Sequence, residues 1–444
     1  MRRFGLCLLL LLALSACTVP QVATPTPPPT PATDELLVDA SRDLGTISPY
    51  VFGANHGPWA VVSADLMDEA QTAGITFLRF PGGNWGDEND LRPYHIDGFL
   101  ALARQLGAEP QISVRLRGGT PEQAAELVRY ANIEKGYGIR YWSIGNEPGL
   151  YHSKPGFEGY DTARLNREWR AIAQAMRQVD PDILLLGPEV TQYTGHPESD
   201  PKDAAGKDWV RTFLEANGDL VDIVSIHRYP FPKSMTAGTA SPAELLANPA
   251  EWDHIIPTLR ELIRLTTGRE LPIAITEINS YWTNVSGGET TPDSFLSALW
   301  WADTLGHLIS QDVQIVAFFS LQSNPSIGGY GLLARRDVRP GYYVYRLYSH
   351  FGRQQVAAAS GDPAISLYAA RRDDGALTVL AINRSDRSRS PRLKIVGFDP
   401  APAVQAWLFD AEHPVEALPP LDGPPETVTL PPYSATLLIF SSDS

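Results

Sequence analysis

The stretch Tyr141-Trp142-Ser143-Ile144-Gly145-Asn146-Glu147-Pro148 decides the architecture. Its first four residues are a short apolar run of the kind a buried strand makes. Gly145, Asn146 and Pro148 then break the run and leave a glutamate just past its end. Seven more such runs recur along the chain, at 50–53, 76–80, 111–116, 183–186, 223–226, 273–276 and 315–319. Helical patterns lie between them. In one, Leu165, Trp169, Ile172, Ala173, Met176 and Val179 share a face, behind Asp161 as a cap and ahead of Pro181 as a stop. Nearly continuous apolar strands alternating with helices imply an α/β fold whose parallel sheet is covered on both faces. Eight such units predict a (β/α)8 TIM barrel over residues 50–350. A doubly wound open sheet is the alternative for the same pattern.

Past residue 351 the pattern changes. Residues 364–371, 376–383, 391–397, 404–409 and 434–441 read as short strands separated by turns of Asp-Gly, Asn, Ser and Pro, with no helical stretch. A small C-terminal β-sandwich over 351–444 is the natural closure. The strand-like residues 35–49 precede the barrel and are expected to pair into that sandwich.

The amino end reads as a leader. Arg2 and Arg3 precede an apolar run over 4–14, too short to span a bilayer and right for a signal-peptide core. Leu14-Ser15-Ala16-Cys17 resembles the lipobox of bacterial lipoproteins, which predicts a signal over 1–17 and lipidation of Cys17. Residues 18–34, rich in Pro and Thr, are expected to form an extended linker. On this reading the protein sits outside the cytoplasm in the bacterial cell envelope, meeting the membrane through a lipid anchor only.

Composition narrows the chemistry. The 444 residues carry a formal net charge of −15, so no basic footprint for nucleic acid is present. The two cysteines, Cys7 and Cys17, both lie in the leader, which leaves no disulfide. None of the nine histidines forms HExxH, and no GxxxxGK[ST] or GxGxxG stands at a strand–helix turn. No metal and no cofactor are expected.

Barrel active sites are built where the strands end. The seventh run ends Ile275-Thr276-Glu277-Ile278-Asn279, so it too places a glutamate just past a strand. Two carboxylates facing each other over a cleft can cleave a glycosidic bond. One protonates the leaving oxygen, and the other attacks the anomeric carbon or activates water.

Asn146-Glu147-Pro148 after the fourth strand, with Glu277 after the seventh, resembles the clan A glycoside hydrolases. Arg79-Phe80-Pro81-Gly82-Gly83-Asn84 is similar to a motif of α-L-arabinofuranosidases and their β-glucuronidase and β-xylosidase relatives. His227-Arg228-Tyr229 resembles the clan's His-x-Tyr, and residues 331–352 resemble its barrel exit. The chain departs from many clan members where the eighth strand ends, with Gln322 and Asn324 in place of a tryptophan. The resemblance implies a retaining hydrolase of oligo- or polysaccharides, with Glu147 as a protonated acid/base and Glu277 as an ionised nucleophile beside Arg79. It places Asn146 on the sugar 2-hydroxyl and Tyr229 in line with Glu277. Further substrate contacts are expected from Arg79, Asn55, His56, Trp85, His227, Trp282 and Gln322, with Trp59, Tyr193 and Tyr281 as lesser aromatic candidates. Glu189, after the fifth strand, is a third carboxylate on this face, read as a substrate contact or a structural group. The competing reading is a non-catalytic surface lipoprotein that binds glycans on the same fold.

Overall fold

The computed structural model describes residues 31–323 and 328–442. The leader, Cys17, most of the linker and Asn324 lie outside the described residues. Among those residues, no helix is long and apolar enough to cross a membrane.

The first strand, β1 (Glu35–Thr46), lies outside the barrel. The barrel strands are β2 (Gly53–Asn55), β3 (Phe77–Phe80), β4 (Glu109–Val114), β5 (Tyr141–Ile144), β6 (Leu184–Thr191), β7 (Ile223–Arg228), β8 (Ile273–Ile278) and β9 (Ile315–Phe318). They close in chain order into a parallel barrel, with β2 paired to both β3 and β9. Eight strands leave an interior that side chains fill. Its lower end is plugged by Phe77, Tyr141, Leu186, Ile223, Ala274 and Ile315, all buried. Its upper end is polar, and the strand register assembles it. Asn55 lies opposite Arg79, and Arg79 opposite Gln111. Thr191 lies opposite His227, and His227 opposite Glu277.

The first barrel strand starts later than the sequence suggests. Pro49–Val51 is a single 3-10 turn, begun by a proline and capped by Ser48, whose hydroxyl accepts from the Tyr50 amide. The strand begins at Gly53 because nothing larger fits. A Cβ there would lie 2.5 Å from the Val316 carbonyl of β9. Around the barrel, the helix Thr162–Val179 starts where Asp161 accepts from the Arg164 amide at 2.8 Å, and it buries Leu165, Trp169, Ile172 and Met176.

After the barrel come β10 (Gln354–Ser360), β11 (Ile365–Arg371), β12 (Leu377–Asn383), β13 (Arg392–Val396), β14 (Pro400–Phe409), β15 (Pro414–Asp422) and β16 (Ser434–Ser442). With β1 they form one sheet ordered β13-β1-β10-β11-β12-β16-β14-β15, antiparallel except between β1 and β13. It builds a sandwich-like unit with its own core of Leu36, Val38, Leu367, Val379, Val404, Leu438 and Phe440. The alternating residues Tyr368, Leu380, Ile382, Leu437 and Ile439 join the barrel's core instead. Two of these strands have weak sequence signals. β10 is Gln- and Ala-rich, and β15 carries Pro414, Pro419 and Pro420, which an edge strand tolerates because its outer side has no ladder to break.

Candidate active site

Arg79 organises the top of the barrel. Its guanidinium is fully buried, and burial of a cation demands compensation. Nη1 donates to Asn55 Oδ1 at 2.9 Å and to Glu277 Oε2 at 3.0 Å. Nη2 donates to Asn146 Oδ1 and to Glu189 Oε2, both at 2.9 Å. A planar fork that meets four acceptors on four elements is something lysine cannot supply.

Glu277 is held at both oxygens. Oε2 takes the Arg79 bond and the Gly83 amide at 3.2 Å, and Oε1 takes the Tyr229 hydroxyl at 2.5 Å. Burial and the neighbouring Glu277 charge hold the Tyr229 phenol well above its ordinary range, so it remains a donor. Glu147 stands opposite, beyond Gly145, in the left-handed region at φ 49°. Its amide donates to the Glu189 carbonyl at 3.0 Å, which ties it to the next strand. An oxygen of Glu147 and one of Glu277 lie within 4.8 Å of each other.

His227 bridges the carboxylates. Nδ1 lies 3.2 Å from Glu147 Oε1 and Nε2 lies 2.8 Å from Glu189 Oε2. Burial opposes its charge, but Glu277, Glu147 and Glu189 together raise the imidazole to about 9. Glu147 was expected to carry a proton, and His227 bears directly on that carboxyl. Burial pushes the carboxyl up, but the hydrogen bond and charge of His227, with Thr191 and Arg79, outweigh it and hold the group below its usual value. Glu189 is lowered to about 2, where Arg79 and His227 override burial.

A cleft of about 790 Å³ opens over these groups, and Asn84, Asn146, Glu147, Tyr229, Glu277, Trp282, Phe319 and Tyr330 all line it. Of the residues expected to meet substrate, Asn146, Tyr229 and Trp282 therefore reach the cleft. Arg79, Asn55 and His227 do not, because all three are fully buried behind its wall: Asn55 is bonded to Arg79 and to the Thr276 and Ala317 carbonyls, and His227 to Glu147 and Glu189. Glu189 is likewise sealed off, so substrate contact is excluded for it. Trp85 begins a short helix and packs edge-on against His95. Gln322 is buried and donates to the Ala334 carbonyl. His56 stacks on Phe80, and burial lowers it to about 4. Tyr281 and Tyr193 are buried as well. Where a tryptophan was missing, Phe319 and Tyr330 supply the aromatic wall, their rings edge-to-face at 5.4 Å.

Sequence reading missed Asp87. Fully buried, it accepts from the amides of Leu116, Arg117 and Asn146 and from the Tyr151 hydroxyl, and so fixes the backbone just before Glu147. Its place three residues past Asn84 of the Arg79–Asn84 motif was the available signal.

No family model matches the chain. An exo-α-(1→6)-L-arabinofuranosidase of Bifidobacterium longum is 28% identical over 266 residues, covering 50% of this chain and 48% of that protein. An intracellular exo-α-(1→5)-L-arabinofuranosidase of Streptomyces lividans is 27% identical over 259 residues, covering 45% and 37%. The chain thus spans about half or less of the length of these curated relatives. In fold it is similar to the α-L-arabinofuranosidase of Thermotoga maritima in its arabinose complex, with TM-score 0.72 and 19% identity over 91% of this chain and 99% of that one. CelM2, a bifunctional glucanase-xylanase from a metagenome library, has TM-score 0.71 and 19% identity over 92% and 99%. These comparisons support the resemblance to clan A glycoside hydrolases. They also correct the extracytoplasmic, lipid-anchored location expected from residues 1–17. The relatives from S. lividans, Halalkalibacterium halodurans and Bacillus subtilis are named intracellular enzymes, which points against it.

Proposed function

We propose that the protein is a retaining glycoside hydrolase acting on α-L-arabinofuranosides of plant-type glycans. The observation that carries the chemistry is the pair Glu147 and Glu277, opposed across the cleft within 4.8 Å, where retaining enzymes keep their carboxyls about 5–5.5 Å apart. The sugar class rests on the names of the relatives matched in sequence.

Glu277 acts as the nucleophile. Tyr229 fixes one oxygen, Arg79 and the Gly83 amide fix the other, and the carboxylate faces the cleft in one orientation. Such positioning replaces motional freedom that would otherwise burden the attack. Glu147 protonates the leaving oxygen as the glycosyl–Glu277 bond forms. It then takes the proton of the water that releases the sugar with its configuration retained. Asn146 and Asn84, hydrogen-bonded to each other at 3.1 Å on the cleft wall, are placed to meet sugar hydroxyls.

The test is hydrolysis of a panel of aryl arabinofuranosides, xylosides, glucosides, galactosides and glucuronides by the full-length protein, alongside Glu147→Ala and Glu277→Ala. Turnover confined to the arabinofuranoside, lost in Glu277→Ala and restored to Glu147→Ala by azide as a glycosyl azide of retained configuration, is the expected result. A protein that binds these sugars without turnover, or one whose two variants keep full activity, overturns the reading.

A further inference from the structure

The third carboxylate of the cluster, Glu189, has no part in the chemistry so far, yet three donors meet on it behind the cleft. Arg79 Nη2 at 2.9 Å, His227 Nε2 at 2.8 Å and Thr276 Oγ1 at 2.9 Å all converge on one oxygen, Oε2. The residue stands at φ 59° on β6 and has no exposed surface. It cannot touch a substrate in the cleft, so any influence passes through its partners, His227 beside Glu147 and Arg79 beside Glu277.

Both nitrogens of His227 face carboxylate oxygens. A neutral imidazole has one donor and one acceptor, so two carboxylate partners require either an imidazolium or a proton on one of the carboxyls. Glu189 sits against Arg79 and accepts three bonds, which makes it the fixed acceptor. We propose that Glu189 is a positioning residue that holds the proton on Nε2 of His227, so that Nδ1 and Glu147 share a single mobile proton, the one the glycosidic oxygen receives. This rests on Glu147 being the acid/base.

The groups facing His227 agree with that assignment. Glu147 follows β5, Glu189 lies on β6, and Glu277 lies on β8 with an oxygen 4.0 Å from Nδ1. Arg79 on β3 reaches His227 only through Glu189 and Glu277, and Tyr229 is committed to Glu277. Two cations therefore stand against three carboxylates, and the pair His227–Glu147 is where a proton enters or leaves at least cost. In the first half-reaction the proton passes from Nδ1 to Glu147 and on to the glycosidic oxygen. The carbon–oxygen bond breaks, Glu277 bonds to the anomeric carbon, and the alcohol leaves neutral. In the second, water gives its oxygen to the anomeric carbon and its proton to Glu147, Glu277 departs as a carboxylate, and the proton returns to His227.

Glu189→Gln tests this, because its amide oxygen still accepts from Nε2 while the charge is gone. The alkaline limb of kcat/KM should move to lower pH by about one unit or more. The loss should be greater for alkyl than for dinitrophenyl glycosides, whose leaving groups depart without protonation. A limb that stays in place, with activity reduced equally for both kinds of substrate, overturns the proposal. Imidazole 15N NMR of the unmutated full-length protein, with the His227 signals assigned by their loss in His227→Gln, reads the same point without turnover. Nε2 should stay protonated while Nδ1 titrates, and the reverse overturns the proposal. Failure of the hydrolase reading shows separately, as absence of glycoside turnover in the unmutated protein.

Discussion

At the residue scale the site is a set of charges that share partners, so single substitutions act beyond the atoms they remove. Arg79→Lys keeps the charge and loses the fork, and its three N–H donors leave at least one of Asn55, Asn146, Glu189 and Glu277 without the bond Arg79 gives it. We expect kcat/KM to fall about 100-fold or more, because Glu277 and Asn146 are oriented by the same guanidinium. Steady-state kinetics with a circular-dichroism check of folding decides it, and near-normal activity would show that Tyr229 and Gly83 position Glu277 unaided. The same charges make stability depend on pH. His227 has its folded-state value raised to about 9 from 6.5, so the stability it contributes is complete below 6.5 and is lost as pH rises through about 9. Glu189, lowered from 4.5 to about 2, contributes stability above 4.5 that is lost as pH falls toward 2. Melting temperatures across pH 6–10 should therefore decline, and His227→Asn should flatten the decline. An unchanged slope in that variant would place the titration elsewhere. The glutamates and Tyr229 were legible because they end strands in a recognisable order. That Arg79, Asn55 and His227 stand behind the cleft wall was not, since a strand's polar terminus reads the same whether it faces substrate or another side chain.

At the scale of elements, legibility followed the strength of local signals. The helix Thr162–Val179 was marked by its cap, its apolar spacing and the proline beyond it, and Asp161 does accept from the Arg164 amide at 2.8 Å. Asp161→Ala should cost about 1 kcal/mol, read from urea denaturation. A change near zero would mean that packing of Leu165 and Trp169 alone fixes the helix start. The first barrel strand was displaced by two to three residues because Tyr50 and Val51 look like strand residues, whereas Ser48 and Pro49 bend them into a turn. Strand pairing sets the true start. Gly53→Ala would push a methyl to 2.5 Å from the Val316 carbonyl and 3.1 Å from Phe77 Cβ, both on neighbouring strands. We expect a loss of about 1–3 kcal/mol from the strain of separating β2 from β3 and β9. Denaturation midpoints measure this, and a neutral result would mean the barrel seam can widen freely. β10 and β15 escaped sequence reading because alanine and proline signal a strand only when a partner is already in place.

For the whole molecule, the consequential contact is between barrel and sheet, which no local pattern announces. Tyr368 of β11 lies across the helix Phe295–Ser310 at Gly306, where a Cβ would strike its ring at 2.3 Å. Its hydroxyl donates to Asp303 Oδ1 at 2.7 Å. Asp303 is itself fully buried, with Arg384 of the sheet unit 3.6 Å from its other oxygen. Alternate residues of β11, β12 and β16 belong to the barrel's core, so the sheet and barrel share apolar surface that neither can leave exposed. Such sharing predicts that the two unfold together. Nine of the ten tryptophans precede residue 302, so tryptophan fluorescence follows the barrel, while hydrogen exchange of β11 and β12 peptides follows the sheet. In urea the two probes should report one midpoint. Tyr368→Ala should shift both by the same amount, about 3–5 kcal/mol, because it removes a large buried ring and leaves Asp303 short of a donor. If β11 and β12 instead exchange freely while the fluorescence transition stays where it was, the sheet is an independent unit and the shared core adds nothing to the barrel's stability.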